Sequence, residues 1–193
     1  MEKIDSNYEC KIPTLEQINK RWDYEISIHN DNDQSNWIIW KEKLIQDVLS
    51  NRSITYYGFL NNEIIVEATA SISPESYFVK NSKDLIDDKT AYLSAFRTNK
   101  EYRNQGFFSK LFNFMIDDLI KRGYTQFTLG VEKDDYLNKS IYLKFGFTKY
   151  IKTQIMEYPN GEKIEVEYYM KQITEWSLVI YGGIKRSTKW KKN

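Results

Sequence analysis

Residues 91–147, AYLSAFRTNKEYRNQGFFSKLFNFMIDDLIKRGYTQFTLGVEKDDYLNKSIYLKFGF, decide the fold. AYLSAFRT (91–98) is β-prone and reads as a strand. A basic polar loop containing Gly106 follows, and residues 105–122 read as a helix that buries Phe107, Phe108, Leu111, Phe112, Met115 and Leu119. Gly123, directly after Lys121-Arg122, stops that helix. Residues 124–132 then read as a strand, 135–144 as a short helix, and 147–157 and 163–172 as two more strands. Asn160-Gly161 between the last two is the strongest hairpin signal in the chain. A strand that runs through a short loop into a helix leaves backbone N–H groups unpaired at the positive end of the helix dipole. That setting suits a phosphate or pyrophosphate, and Gly106 allows close approach of the backbone. Taken alone, the Arg-x-x-Gly spacing of Arg103–Gly106 fits an ordinary strand-to-helix turn as well.

Working outward, Thr14-Leu15-Glu16-Gln17 has a capping-box pattern, and Leu15, Ile18, Trp22 and Ile26 recur at helical spacing. A polar stretch precedes a second helix whose face carries Trp37, Trp40, Leu44 and Val48. The three tryptophans fit either a helical core or an aromatic wall for a ligand. SITYYGFL (53–60), Asn61-Asn62 and EIIVEATASI (63–72) form a β-hairpin. Its second strand puts Val66, Ala68, Ala70 and Ile72 on one face and Glu67, Thr69 and Ser71 on the other. Residues 73–90 are polar and carry Pro74, so they are expected to form a functional or mobile segment, a lid over a site. With residues 8–12 as an additional first strand, the order is β-α-α-β-β-β-α-β-α-β-β. The fold class is therefore α/β with a mixed sheet (α+β in character), not a series of regular βαβ units.

Composition narrows the function classes. The chain has 193 residues, long enough for one sizeable domain, and 16% aromatics with 41% hydrophobic residues supply its core. Lys plus Arg number 28 against 27 acids, a balance that offers no global field for nucleic acid or an anionic membrane. Neither partner is expected. Cys10 is the only cysteine and His29 the only histidine, so no disulfide and no Cys/His metal site is expected. The N-terminal residues lack a signal-peptide pattern and no run reaches membrane-spanning length, which points to the cytoplasm.

The segment Arg103-Asn104-Gln105-Gly106-Phe107-Phe108, followed by VEKDDYLNKSIYLKFGF (131–147), resembles the GNAT acetyltransferase superfamily. That family carries R/Q-x-x-G-x-G/A between its fourth strand and third helix, then a V-E-x-x-N-x-x-A-x-x-x-Y-x-x-x-G-F pattern about thirty residues later. Glu132, Tyr142, Gly146 and Phe147 fall in register, while Phe108, Asp135 and Asn138 depart from the usual residues. The resemblance implies a central, mostly antiparallel sheet of about six to seven strands flanked by four helices, over residues 1–172. Residues 173–193 would be a C-terminal extension in which WSLVIYGGI adds a strand or a dimer contact and KRSTKWKKN is a basic tail. A homodimer is one expectation.

By the same resemblance the donor is acetyl-CoA, with no metal, and the acceptor a primary amine, on a small molecule first. Transfer from a thioester to an amine needs a neutral amine, stabilisation of an oxyanion and a proton for the leaving thiolate. The family implies Tyr142 as the proton donor. It implies Phe96, Arg97 and Thr98 beside the thioester and pantetheine, and Arg103, Asn104, Gln105, Gly106, Phe107, Phe108 and Ser109 at the pyrophosphate. Asp135 and Asn138 would complete the cofactor-binding set, with Asp135 also capping the short helix. Lys110 is either adjacent to the pyrophosphate or a solvated helix residue. Where many family members have a fourth-strand acid this chain has Ser94, so Glu67, one strand away, is taken as the substitute general base. A water-mediated route and His29 are the alternatives for that role. Two other readings stand beside the leading one: acetylation of a protein or tRNA-linked amine, and a non-catalytic acyl-CoA-binding domain.

Overall fold

The computed structural model describes residues 7–29 and 31–173. Seven strands form one sheet: β1 (Tyr8–Lys11), β2 (Ser53–Leu60), β3 (Glu63–Ser71), β4 (Thr90–Thr98), β5 (Gln126–Glu132), β6 (Lys149–Glu157) and β7 (Lys163–Gln172). Their order across the sheet is β1-β2-β3-β4-β5-β7-β6. Every neighbouring pair is antiparallel except β4 and β5, which are parallel. Four α-helices flank it: α1 (Leu15–Ile28), α2 (Asp31–Leu49), α3 (Phe107–Lys121) and α4 (Tyr136–Lys144).

Local chemistry explains the element ends. Thr14 and Gln17 exchange the two hydrogen bonds of a capping box at the start of α1, at 2.9 and 3.3 Å. Asn61 and Asn62 both adopt positive φ, 50° and 67°, so the two-residue turn has the twist that antiparallel strands need. The Asn160-Gly161 connection is longer, with Tyr158 N–H bonded to the Glu162 carbonyl at 2.8 Å.

Strand alternation sends side chains to both faces, and both are covered. On one face α3 presses Leu111, Phe112, Met115 and Leu119 against Tyr56, Val66, Ala68, Ala70 and Leu93. Burying each large apolar side chain there contributes roughly 1.5–3 kcal/mol. On the other face α1 and α2 place Ile18, Trp22 and Leu44 over Tyr57 and Phe59. Phe108, which departs from the family pattern, turns onto the α3 core and meets Phe96 and Phe145 with ring centroids 5.5 Å apart in each case.

Residues 73–90 differ from the lid expected of a polar connection. They form two 3-10 turns, Tyr77–Val79 and Lys83–Leu85, and bury Val79, Leu85 and Ile86 against Tyr92, Val166 and Tyr168. Apolar residues spaced through the polar ones give this segment a small core of its own. It is a packed wall. The strand or dimer contact expected at WSLVIYGGI and the basic tail lie outside the described residues. Ile173, the last one described, docks on the main core.

Two features of β4 make an opening. Its parallel pairing with β5 runs only from Thr90↔Gln126 to Leu93↔Leu129, although both strands continue. Against β3, the register jumps from Thr69↔Ser94 to Glu67↔Arg97, so β4 carries an extra residue, and Ala95 sits at φ 54°. A non-glycine residue held there costs on the order of 1–2 kcal/mol, the kind of local strain found where a bulge re-aims a strand at a site.

Candidate functional site

Two clefts meet where β4 and β5 diverge. The first, about 810 Å³, runs along the loop from Thr98 to Ser109 and under α4 at Leu137 and Ile141, with Phe145 just past its end. The second, about 770 Å³, lies across the sheet between the α1–α2 pair and the β6–β7 hairpin. Phe96, Arg97, Asn138 and Tyr142 line both. These four residues stand between the two clefts and form the neck that borders both.

The loop in the first cleft is built for an anion. Asn104 and Gly106 both take positive φ, 61° and 82°, which turns the chain sharply into α3. The first helix-closing bond is Lys110 N–H to the Gly106 carbonyl at 3.2 Å. The N–H groups of Gln105 through Ser109 therefore have no acceptor among the described residues and stand at the positive end of a 15-residue helix. Arg103 is exposed beside them, with Nε donating to the Thr98 carbonyl at 3.1 Å, and Gln105 Nε2 braces the loop on the Glu101 carbonyl at 2.7 Å. Lys110 is exposed on the next turn, 5.8 Å from the Tyr8 ring centre.

Tyr142 stands at the neck with its ring centre 5.6 Å from that of Phe96. Burial, with Asp135 nearby, raises its phenol above the ordinary value, so it is protonated at neutral pH. α4 holds it there: Asp135 caps the helix, accepting from Asn138 N–H at 3.0 Å and from Asn138 Nδ2 at 2.6 Å. Asp135 thus performs the cap expected of it, and Asn138 reaches both clefts.

The second cleft is aromatic. Trp37 touches Trp22 and Trp40 at centroid distances of 5.7 and 5.6 Å, and Trp40 meets Tyr158 of the hairpin edge-on at 5.1 Å. Asn36 Oδ1 accepts from Asn160 N–H at 2.8 Å, which ties α2 to the hairpin turn over the cleft. His29 lies against Trp37 at 4.0 Å. Its Nδ1 faces the Glu25 carbonyl at 2.6 Å, so Nδ1 carries the proton. Glu132 and Glu162 face Tyr158, and burial followed by these two charges pushes its phenol up to about 12.

Glu67 occupies a different place. Its side chain is 1% exposed and lines neither cleft. Oε1 accepts from Arg21 Nε at 2.8 Å and from Arg97 Nε at 2.5 Å. Burial disfavours its charge, but the two guanidiniums prevail and hold the carboxyl below its usual range. Arg97 turns its Nε to Glu67 and lies over the Trp22 and Trp37 rings at 4.4 and 4.8 Å.

The sequence and the fold are matched by known proteins. A family model described as the acetyltransferase (GNAT) family covers residues 14–147, more than two thirds of the chain. The chain belongs to the GNAT acetyltransferase family. Solved structures of the same fold include the acetyltransferase of Salmonella typhimurium that modifies the N-terminal serine of ribosomal protein L7/L12 (15% identity, TM-score 0.63, covering 88% of this chain and 97% of that one). A spermidine N-acetyltransferase chimera from Vibrio cholerae and its human counterpart has 13% identity and a TM-score of 0.62, over 86% and 96% of the two chains. A GNAT family acetyltransferase from Elizabethkingia anophelis with acetyl-CoA bound has 15% identity and a TM-score of 0.59, over 88% and 100%. No match is found among curated protein sequences.

In this GNAT fold the expected residues divide into two groups. Phe96, Arg97, Thr98, Arg103, Asn104, Gly106, Phe107, Phe108, Ser109, Asn138 and Tyr142 line the first cleft together, with Gln105 on the loop between them and Asp135 in the wall of the second. Glu67 alone is set apart. The sequence reading missed Tyr158, Asn36 and Tyr92 in the second cleft. The one signal that pointed to Tyr158 was its place just before the Asn160-Gly161 turn. Among the described residues no group of three or more His, Cys, Asp or Glu residues could hold a metal, and no helix is long and apolar enough to cross a membrane.

Proposed function

We propose that the protein transfers the acetyl group of acetyl-CoA to the primary amine of a small molecule, by direct attack in a ternary complex. The observation that carries this reading is the shared neck, where Phe96, Arg97, Asn138 and Tyr142 border both clefts. A donor in one cleft and an acceptor in the other reach each other only there.

The first cleft fits coenzyme A through its unpaired N–H groups, the left-handed Asn104 and Gly106, and the exposed Arg103. Acetyl-CoA supplies the activated acyl group. Gln105 through Ser109 and Arg103 hold the pyrophosphate, and the edge of β4 at Phe96–Thr98, free of β5, offers backbone N–H to the oxygen that gains charge. Tyr142, protonated at neutral pH, gives its hydroxyl proton to the leaving sulfur. Glu67, enclosed and held ionised by two arginines, positions Arg97, and the amine loses its proton to water in the second cleft.

A small acceptor is supported by the depth and aromatic lining of the second cleft and by the hairpin tied over it through Asn36. The known structures of this fold include enzymes for a small amine and for a protein N-terminus, so the acceptor assignment rests on the cleft. A cytoplasmic location is part of the same proposal. The test is thiol release from acetyl-CoA across a panel of small primary amines and short peptides. Turnover of at least one small amine is expected. Turnover of peptides with none of the small amines would overturn the small-molecule assignment.

A further inference from the structure

Arg21 and Arg97 meet on one oxygen, Glu67 Oε1, but are used differently. Arg21 engages all three nitrogens: Nε with Glu67 at 2.8 Å, Nη1 with Asn99 Oδ1 at 2.6 Å and Nη2 with Glu25 Oε1 at 2.7 Å. Arg97 engages Nε alone. Neither terminal nitrogen of Arg97 has an acceptor among the described residues, and Nη2 is enclosed. Trp22, against which the guanidinium lies, has the same deficit at its Nε1–H, and it is 2% exposed. Glu67 Oε2 and the Tyr57 hydroxyl are also enclosed without partners, and neither residue lines the cleft. Arg97 and Trp22 do line it.

A guanidinium carries five N–H donors in a planar fork, and donors left unpaired away from water are costly. The guanidinium carbon lies 4.4 and 4.8 Å from the centres of two indoles, which restrict where the fork can move. The local charge is already balanced, with Arg21 and Arg97 facing Glu25 and Glu67. Arg97 Nη1 is the terminal nitrogen that is not enclosed, and what it lacks at this point of the cleft is an oxygen acceptor.

We propose that Arg97, backed by Trp22, is an acceptor-recognition site for a planar oxygen group, an amide carbonyl or a carboxylate, carried within a few bonds of the reacting amine. This rests on the reading of the second cleft as the acceptor site. Arg97 shares the neck with Phe96 and Tyr142, so a group bound to it lies near the amine that reacts. The acceptor is thus an α-amino carbonyl compound. A simple alkylamine leaves the fork unfilled and is the poorer ligand.

The probes are phenylalaninamide, phenylalanine and 2-phenylethylamine, which share a side chain suited to the aromatic wall and differ only in the oxygen group. Binding is followed by tryptophan fluorescence, since Trp22 and Trp37 flank Arg97, and by calorimetry in the presence of coenzyme A. At least one oxygen-bearing probe is expected to bind about tenfold or more tighter than 2-phenylethylamine, the scale of one charge-assisted hydrogen bond. Whether amide or acid binds better identifies the oxygen group. Arg97→Gln should bring the ratio close to one. Arg97→Lys keeps the charge, loses the fork and should still lower the ratio several-fold, which covers a poorly folding glutamine variant. Equal affinity in the unaltered protein, no binding by any probe, or an unchanged ratio in either variant would overturn the proposal. Coenzyme A binding measured on the same samples separates the outcomes, because its loss would strike the acyltransferase reading itself.

Discussion

Replacing Glu67 with glutamine separates a structural carboxylate from a catalytic one. The native side chain is 1% exposed and accepts from two guanidiniums, one of which, on Arg21, is itself 3% exposed. Glutamine keeps the shape and one acceptor but removes the only anion that Arg97 pairs with among the described residues. Breaking a buried pair by removing one partner costs about 3–5 kcal/mol, because the other charge stays enclosed. For a domain of this size that is a fall in Tm of roughly 6–20 °C, at about 2–4 °C per kcal/mol. The assay is urea or thermal unfolding of both proteins, with turnover measured well below the transition. A general base would show the reverse pattern, with Tm little changed and kcat down by roughly 10²–10⁴. Glu67→Gln is expected to destabilise strongly while kcat of the folded enzyme falls less than about tenfold. A kcat loss above a hundredfold at unchanged stability would refute this placing of Glu67.

The same carboxylate sets an acid limit. Its folded pKa is depressed, so its contribution is fully present above the unfolded value of about 4.3 and is lost as pH falls through the folded one. The native protein should lose stability more steeply below about pH 5 than Glu67→Gln, as unfolding followed against pH would reveal. Tyr142→Phe keeps the ring against Phe96 and removes the proton donor, so kcat should fall by roughly 10²–10⁴ with coenzyme A affinity unchanged in calorimetry. Gly106→Val puts a β-branched residue at φ 82°, which distorts the loop at the start of α3. Coenzyme A affinity should drop at least tenfold, with Tm lowered by about 2–8 °C from the strain of a non-glycine residue at that φ. Asn36→Ala cuts the tie to the β6–β7 turn and should raise KM for the acceptor several-fold while leaving that for acetyl-CoA in place.

Much of the first cleft was legible because it is built from backbone features signalled by local sequence. Gly106 before an amphipathic helix, and Asp135 three residues before Asn138, mark a helix start and a cap whatever the tertiary context. Tyr142 was readable from its distance to Gly146-Phe147. The surroundings of Glu67 were not legible because strand alternation gives a side chain's face but not what arrives to cover it. Arg21, 46 positions earlier on α1, turns a polar strand face into a buried ion pair. Residues 73–90 were hidden for a similar reason, since Val79, Leu85 and Ile86 have no period to announce them and are buried by Tyr168 from the far end of the chain. The second cleft is assembled from α1, α2, the 3-10 turns and the last hairpin. No single segment carries its pattern.

The most direct measurement is a calorimetric titration of the full chain with acetyl-CoA, followed by the same titration of Gly106→Val. Saturable binding at one site per chain, weakened at least tenfold by the substitution, is the result expected from the loop at Arg103–Ser109. An absence of binding, or equal binding by both proteins, would contradict the assignment of the first cleft and the acetyl transfer built on it.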